Sequence, residues 1–452
     1  MLIRFIVNNI FSFGELREFN MLPNARLRTL AHHKYNINGL ELLKITSVYG
    51  ANAAGKSNII KALSLLDDFV RDEITIATIR NNHFKFSKNE NEKQLLAIEF
   101  FQNNTSFYYS LEISRNIISC ESLHISGLGK HEDQLLYRRE TDTNKKTSIL
   151  FHDAFEKDEK SQILKQILIE EFIKPDKPIF ALLSKRDNIH LLDIKIAYEW
   201  FDYTLDIISP DSMASSLAVR IEREPTFKKY AEDIMSSFDL GVTSITFDKK
   251  EIRDFFGQEN EKEANEIIEQ VENASDKRIS MKNDYGDRII VIKENDNYFV
   301  KELKLEHSGS NNQIGLELNE ESDGTRRLLD FIPAFHNLFT KAKVYVVDEI
   351  ERSIHPLIIK ELIKRFSQDP HTKGQLVFTT HESNLLDQDL FRQDEIWFAE
   401  KDKKGLTDLY SLSAFKEHKT IDIKKGYLNG RYGAIPFLAN LQDLNWHKYD
   451  TE

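Results

Sequence analysis

The stretch GANAAGKS, Gly50 to Ser57, carries the residue types that hold a phosphate chain. It matches G-x4-G-K-[ST] in full, with the apolar run LLKITSVY before it and NIIKALSLL after it, the strand and helix such a loop requires. Gly50 and Gly55 let the backbone turn tightly, so that successive N–H groups and a helix N-terminus face one anion. Lys56 is then placed to bridge the β- and γ-phosphates of ATP, and the Ser57 hydroxyl to reach Mg²⁺. Asn52 and Asn58, inside and just beyond the loop, are the remaining expected nucleotide contacts. A second metal ligand is needed at the tip of a neighbouring strand, and VYVVDE supplies it. Val344 to Val347 form a continuous apolar run and Asp348 emerges at its end. Glu349 is the expected general base that polarises the attacking water. His381, after the apolar run LVFTT, is expected at the γ-phosphate. ATP and Mg²⁺ are the expected cofactors and ATP hydrolysis the expected reaction.

A fourth stretch, ESDGTRRLLDF at residues 321–331, leaves two readings open. It is a turn followed by a solvated helix, or a phosphate grip in which a helix starting at Thr325 adds favourable potential for an anion.

The elements that must position these residues fall into three regions. Residues 1–150 alternate strand patterns (LIRFIV, LLKITSVYG, LLAIEFF, FYYSLEI) with one clear helix, in which Ile59, Leu63, Leu66 and Val70 fall at helical spacing. Residues 151–300 are expected to form a mostly helical insertion from SQILKQILIEEFI, DIKIAYEWFDYTLDII and EKEANEIIEQVENA. Near its end RIIVIKE and NYFVKELKLE return to strand alternation, as a hairpin around Glu294–Asn297. Residues 301–452 resume the α/β pattern: a helix from Thr325 to about Phe339 containing Pro333, the strand VYVVDE, the helix LIIKELIKRF, and the strands LVFTTH and EIWFAE. Strands alternating with helices predict a parallel sheet. The closing KKGYLNGRYGAIPFL, rich in Gly and aromatics, is expected to dock onto something.

Composition sets the outer limits. A chain of 452 residues, 40% hydrophobic and 30% charged, is an ordinary globular protein of more than one lobe. Its net charge of −12 tilts against a broad nucleic-acid-coating surface; Lys185, Arg186, Lys228 and Lys229 are the candidates for a local basic face. The lone Cys120 cannot form an internal disulfide and is expected to be a small buried thiol, in keeping with a reducing cytosol. No apolar run approaches membrane length, and MLIRFIVNNIFSF is too short and polar for a signal peptide, so a cytoplasmic location without a membrane partner is expected. His32 and His33 have neither Cys nor spaced acidic partners, so zinc is not indicated and a loop position is expected for both. Asp387 and Asp389 make a D-x-D that is expected to be a solvated loop.

Taken in this order, the P-loop, ESDGTRRLLDF, VVDEIERSIHP and FTTHESNLLD resemble the ABC-type ATPases of the SMC and DNA-repair branch. More closely, the chain is similar to the small SMC-like ATPases of bacterial phage-defence operons. Its opening LIRFIVNNIFSFGE and tail GYLNGRYGAIP look most like the ATPase subunits of PARIS anti-phage systems. The resemblance covers nearly the whole chain. It implies an α/β fold of the ABC-type P-loop NTPase class, with a mixed sheet core and a mostly helical insertion. It implies that Asp348 and Glu349 are the Walker B pair, that Glu351 to Pro356 form the loop communicating across a dimer, and that His381 is the switch histidine. In that family the positions matching Ser322 and the N–H of Gly324, with Thr325 at the helix start, grip the γ-phosphate held by the other subunit's P-loop. Two ATPs would then sit in a head-to-tail dimer, with a larger homo-oligomer of dimers built from it.

The family's Q-loop glutamine has no motif here; Gln94 and Gln102 are candidates by position. The insertion is too short for SMC-type arms. The related overcoming-lysogenisation nucleases carry a toprim domain after the ATPase, whereas the segment after His381 already contains ATPase strands, so no nuclease is expected in this chain. The resemblance therefore implies a regulator in anti-phage defence that restrains a separately encoded, toprim-like nuclease and releases it on sensing a phage-encoded trigger. The competing reading is a DNA-dependent ATPase of the repair type, with DNA as a disfavoured partner.

Overall fold

The computed structural model describes residues 1–435 apart from 87–91, 213–216, 283–287, 309–312, 416 and 419–420. Its centre is a six-stranded sheet in the order Leu205–Ile208, Val344–Val347, Gln375–Thr379, Ile45–Tyr49, Ile396–Lys401 and Thr407–Ser411. The first five strands are parallel and the last is antiparallel to its neighbour. A sheet of this kind is covered on both faces, which is why its strands read as unbroken apolar runs. Alternation along Val344–Val347 sends Val344 and Val346 into one core and Tyr345 and Val347 into another.

In the first core Ile59, Leu63 and Leu66 of the helix Lys56–Val70 join the central sheet to a seven-stranded antiparallel sheet. That second sheet runs in the order Thr147–Phe151, Gln134–Thr141, Ile117–Ile125, Thr105–Ser114, Gln94–Gln102, Leu2–Asn8 and Arg17–Asn20. In the second core the helices Pro225–Ser237, Asp323–Thr340 and Pro356–Gln368 cover the opposite face. A third, smaller core forms where Ala264, Ile267 and Val271, one stripe of the helix Glu261–Asn273, pack on a hairpin. The hairpin pairs Arg288–Glu294 with Asn297–Ser308 and turns at Asn295 and Asp296, with φ of 48° and 65°. Two successive left-handed residues are what a two-residue I′ loop requires, and the turn lies where strand alternation placed it.

Two segments depart from the sequence reading. DIKIAYEWFDYTLDII is not helical throughout. After Leu192–Glu199 and a wider helical turn at Trp200–Thr204, the chain becomes the edge strand Leu205–Ile208 beside Val344–Val347. The open edge of the parallel sheet offers this segment a ladder, and tertiary context overrides the helical pattern upstream of it. VTSITFDKKE forms the ten-residue strand Val242–Glu251, which pairs with Asn297–Ser308. With Arg278–Lys282 and Gln313–Glu317 it completes a five-stranded antiparallel sheet. The region expected to be a mostly helical insertion is thus helical up to Ser237 apart from the edge strand Leu205–Ile208, and beyond it combines this sheet with the helices Ile252–Phe256 and Glu261–Asn273. Its alternation is blurred at DKKE, where the strand faces are occupied by ion pairs such as Lys249–Glu294 and Lys250–Glu302.

The closing segment docks onto the chain itself. Tyr427 and Tyr432 stack on Phe398 of the central sheet, with ring centroids 5.7 Å away in each case. Gly433 has a φ of +66°, a conformation in which any side chain would be strained. Pro436 and the residues after it lie outside the described residues. Cys120 is half-buried rather than fully buried, and burial pushes its thiol up. His33 is not a loop histidine. It is buried, and its Nδ1 lies 3.0 Å from the carboxylate of the buried Glu395. No helix among the described residues is long and apolar enough to cross a membrane.

Candidate active site

The strand Ile45–Tyr49 ends directly at Gly50, and the helix Lys56–Val70 starts after Gly55, whose φ is +106°. Close approach demands glycine at both positions. A Cβ at Gly50 would lie 2.5 Å from Ala399 O, and one at Gly55 2.2 Å from Thr407 Oγ1. The loop borders a cavity of about 520 Å³ lined by Asn52 to Asn58, Glu349, His381 and Lys401.

Lys56 Nζ donates to Gly50 O at 2.9 Å and to Ala51 O at 3.0 Å, and lies 3.2 Å from His381 Nδ1. Burial pushes this ammonium down to about 8, against the opposing pull of Glu351, Asp348 and Glu349. An ammonium has only donors, so His381 Nδ1 accepts and the imidazole proton sits on Nε2, 3.9 Å from Glu349 Oε1. Burial, reinforced by Lys56, holds His381 below the usual histidine range.

The metal end is built from oxygen. Ser57 Oγ donates to Asp348 Oδ1 at 3.0 Å, and Thr379 Oγ1 donates to the same oxygen. Asp348 is buried at the tip of its strand. A hydroxyl and a carboxylate held this close suit the hard-ligand preference of Mg²⁺. Glu349 N donates to Thr379 Oγ1 at 2.8 Å, and the residue has a left-handed φ of 52°. For a non-glycine residue that conformation costs about 1 kcal/mol and is kept where the surroundings enforce it. Here it accompanies a side chain at the cavity wall.

The segment ESDGTRR starts a helix. Ser322 caps Asp323–Thr340, its Oγ accepting from Thr325 N at 3.1 Å. Gly324 packs on the loop after Glu349: a Cβ there would lie 2.7 Å from Ser353 O. Gly324→Ala is therefore expected to cost about 1–3 kcal/mol of stability, measured as a lowered urea midpoint. The two arginines differ. Arg326 pairs with Asp323 at the surface, whereas Arg327 is buried and donates to Ser212 O at 2.9 Å. Arg327 thus holds the loop after the edge strand Leu205–Ile208 rather than forming a solvated face.

Of the expected residues, Asn52, Gly55, Lys56, Ser57, Asn58, Glu349 and His381 share the cavity wall, and Asp348 joins them through Ser57. Gly50 contributes a carbonyl to Lys56. Asn58 also buttresses the loop, its amide donating to Ser12 Oγ at 2.7 Å. Ser322, Gly324 and Thr325 do not line this cavity. Neither does Gln94, bound to Arg80 and Ile79 O, nor Gln102, bound to Thr204. Asp387 of the D-x-D accepts from Lys360 and from Asp389 N, a local turn. Lys228 and Lys229 are paired with Glu232 and Asp233, and Arg186 lies over Phe172.

Sequence reasoning missed Thr379, Ser12, Thr407 and Lys401. Thr407 Oγ1 lies 2.9 Å from Ala54 O and 2.7 Å from Ser12 Oγ, so the last strand and the N-terminal loop brace the P-loop from behind. None of the four carries a motif; Thr379, Lys401 and Thr407 are recruited by the strand order 375–379, 45–49, 396–401, 407–411, and Ser12 by the loop after Leu2–Asn8.

A family model described as "AAA domain, putative AbiEii toxin, Type IV TA system" matches residues 45–387, more than half of the chain. The chain belongs to this family. Its fold is an α/β P-loop NTPase with a mixed-sheet core, and by family the protein is an ATPase of the AAA type. Among solved structures, the SMC head domain from Thermotoga maritima is similar at 13% identity with a TM-score of 0.39, covering 91% of this chain and 98% of that one. An Smc head domain with an extended coiled coil, bound to the C-terminal domain of ScpA derived from Pyrococcus furiosus, shares 15% identity at a TM-score of 0.41, covering 95% and 99%. An SmcHead bound to the C-winged helix domain of ScpA shares 14% at 0.41, covering 92% and 99%. No curated protein matches the sequence.

Proposed function

We propose that this AAA-domain protein binds and hydrolyses ATP with Mg²⁺ in a head-to-tail dimer, and that ATP occupancy sets whether a separately encoded, toprim-like nuclease is held or released in anti-phage defence. The observation that carries the dimer is the separation of parts. Lys56, Ser57, Glu349 and His381 line one cavity while the Ser322–Thr325 helix start lies outside it. A helix N-terminus capped by Ser322 is suited to a second phosphate contact from another copy.

In this reading ATP supplies the phosphoryl bond to be broken and Mg²⁺ neutralises charge on it. Lys56 and the loop N–H groups hold the β- and γ-phosphates, and Ser57 and Asp348 hold the metal. Glu349 takes a proton from water, and His381, donating from Nε2, orients the γ-phosphate end. The regulatory role rests on the likeness of the chain's opening and tail to the ATPase subunits of PARIS systems. A phage-encoded trigger would need about 5 kcal/mol of differential affinity to reverse a 1:99 balance between holding and releasing states.

The composite site has a direct test. Mixing Lys56→Ala with Ser322→Arg subunits makes heterodimers with one doubly broken site and one intact site. Partial recovery of ATPase activity relative to either variant alone is expected; no recovery counts against the dimer. The regulatory role is tested by purifying the complex from its native operon with ATP present and this chain tagged. A nuclease co-purifying on an assembly of ATPase dimers supports it. A lone dimer whose ATPase rises on adding DNA favours the repair-type reading, and its DNA affinity should then fall steeply with salt.

A further inference from the structure

We propose that Glu351 is a positioning residue of the ATP site, anchoring the His381 backbone and tying it to the helix start that carries Gly324. The inference rests on the P-loop reading above and adds a residue to it. His381 lies just past the end of the strand Gln375–Thr379, where the last ladder bond is Thr380 N to Val48 O at 3.1 Å. Its own N–H has no strand neighbour to receive it, and Glu351 Oε1 accepts it instead. Without that carboxylate the amide of the residue that touches Lys56 would lose its partner.

The carboxylate is committed to this task. Its other oxygen, Oε2, is buried with no hydrogen-bond partner among the described residues. Leaving a carboxylate oxygen unpaired is unfavourable, and such groups persist where the site needs them. The Tyr49 hydroxyl, on the residue preceding Gly50, is buried, and Glu351 is the charge acting most strongly on it. Glu351 also acts on Lys56 more strongly than Asp348 or Glu349 does.

The loop holding Glu351 is closed by backbone hydrogen bonds. Ile350 N donates to Thr379 O at 3.2 Å, Arg352 N to Glu349 O at 3.0 Å, and Ile354 N to Glu351 O at 3.0 Å. Two residues on, the Ser353 carbonyl is the surface against which Gly324 packs. One short turn therefore touches His381 at its own ATP cavity and Gly324 at the helix start outside it.

The experiment compares Glu351→Ala, which removes the acceptor, with Glu351→Gln, which keeps an oxygen for the His381 amide. Selective ¹⁵N-histidine labelling follows the His381 amide in the nucleotide-free full chain, and ATP kinetics follow kcat and KM. Glu351→Ala is expected to move the His381 amide proton upfield by about 1 ppm or more, reflecting loss of a charge-assisted hydrogen bond. It should lower kcat about tenfold or more while KM changes by less than about threefold. Glu351→Gln, which is near-isosteric and should fold, is expected to restore kcat to within about threefold of wild type. An unmoved His381 amide in Glu351→Ala overturns the proposal, as does a kcat for Glu351→Gln as low as that for Glu351→Ala. Because the amide is read without nucleotide, failure of the parent protein to bind ATP would defeat the P-loop reading separately from this one.

Discussion

Lys56→Ala is expected to abolish ATP binding. The Lys56 ammonium sits on the Gly50 and Ala51 carbonyls and beside His381 Nδ1, in the wall of the cavity. A hydrogen bond to a charged partner contributes about 1.5–3 kcal/mol, and Lys56 would make at least two to the phosphates. Losing them weakens affinity by about 10²–10⁴. The alanine variant should keep the fold. The glycine contacts with Ala399 and Thr407 and the Asn58–Ser12 bond remain. Isothermal titration with ATP and Mg²⁺ measures the loss, and an unchanged melting curve separates it from unfolding. Wild-type affinity in a folded Lys56→Ala protein would sink the P-loop assignment and every role derived from it.

The parts legible in the sequence were those in which one short run carries both the chemistry and its scaffold. Gly50–Ser57 encodes a turn, a cation and a hydroxyl between a buried strand and a helix, and Val344–Glu349 encodes a core strand ending in two carboxylates. Each was readable because its side chains and its backbone demand coincide. What could not be read depends on which strands become neighbours. Thr379 reaches Asp348 because Gln375–Thr379 lies beside Val344–Val347. Thr407 and Lys401 reach the P-loop through the pairing of Ile396–Lys401 with Ile45–Tyr49 and with Thr407–Ser411. Leu205–Ile208 reads as helix because its apolar residues continue the stripe of the segment before it, and only the open sheet edge turns it into a strand. The tail's aromatics signalled docking without saying on what, since Phe398, their stacking partner, carries no mark of its own. His33 carries no sign of its buried position for a similar reason. Its acidic partner, Glu395, is remote in sequence and comes from the short turn that leads into a central strand.

Glu349→Gln is expected to leave ATP binding intact, slow hydrolysis by about 10²–10⁴, and lengthen the life of the ATP-bound dimer. Glutamine has the shape of glutamate, and the bond from residue 349 N to Thr379 Oγ1 does not involve the side chain, so the left-handed turn that presents the residue should persist. The variant loses the ability to take a proton. The other group positioned near the γ-phosphate end cannot replace it. His381 Nδ1 accepts from Lys56 and its proton sits on Nε2, so it faces the cavity as a donor. Asp348 is bonded to Ser57 and Thr379 and is the metal ligand in this reading. With cleavage blocked, the γ-phosphate would remain shared between the P-loop of one subunit and the Ser322 helix start of the other, and the contact that joins them would not be broken. Two measurements are needed: single-turnover phosphate release for the chemical step, and light scattering after gel filtration in ATP for the lifetime of the dimer. Slow release with a persistent dimer assigns the base and places ATP across the interface. Slow release with a monomer would keep Glu349 as the base and remove the composite site. Wild-type release would return the general base to an unidentified group, and with it the claim that the Asp348–Glu349 strand end is where water is activated.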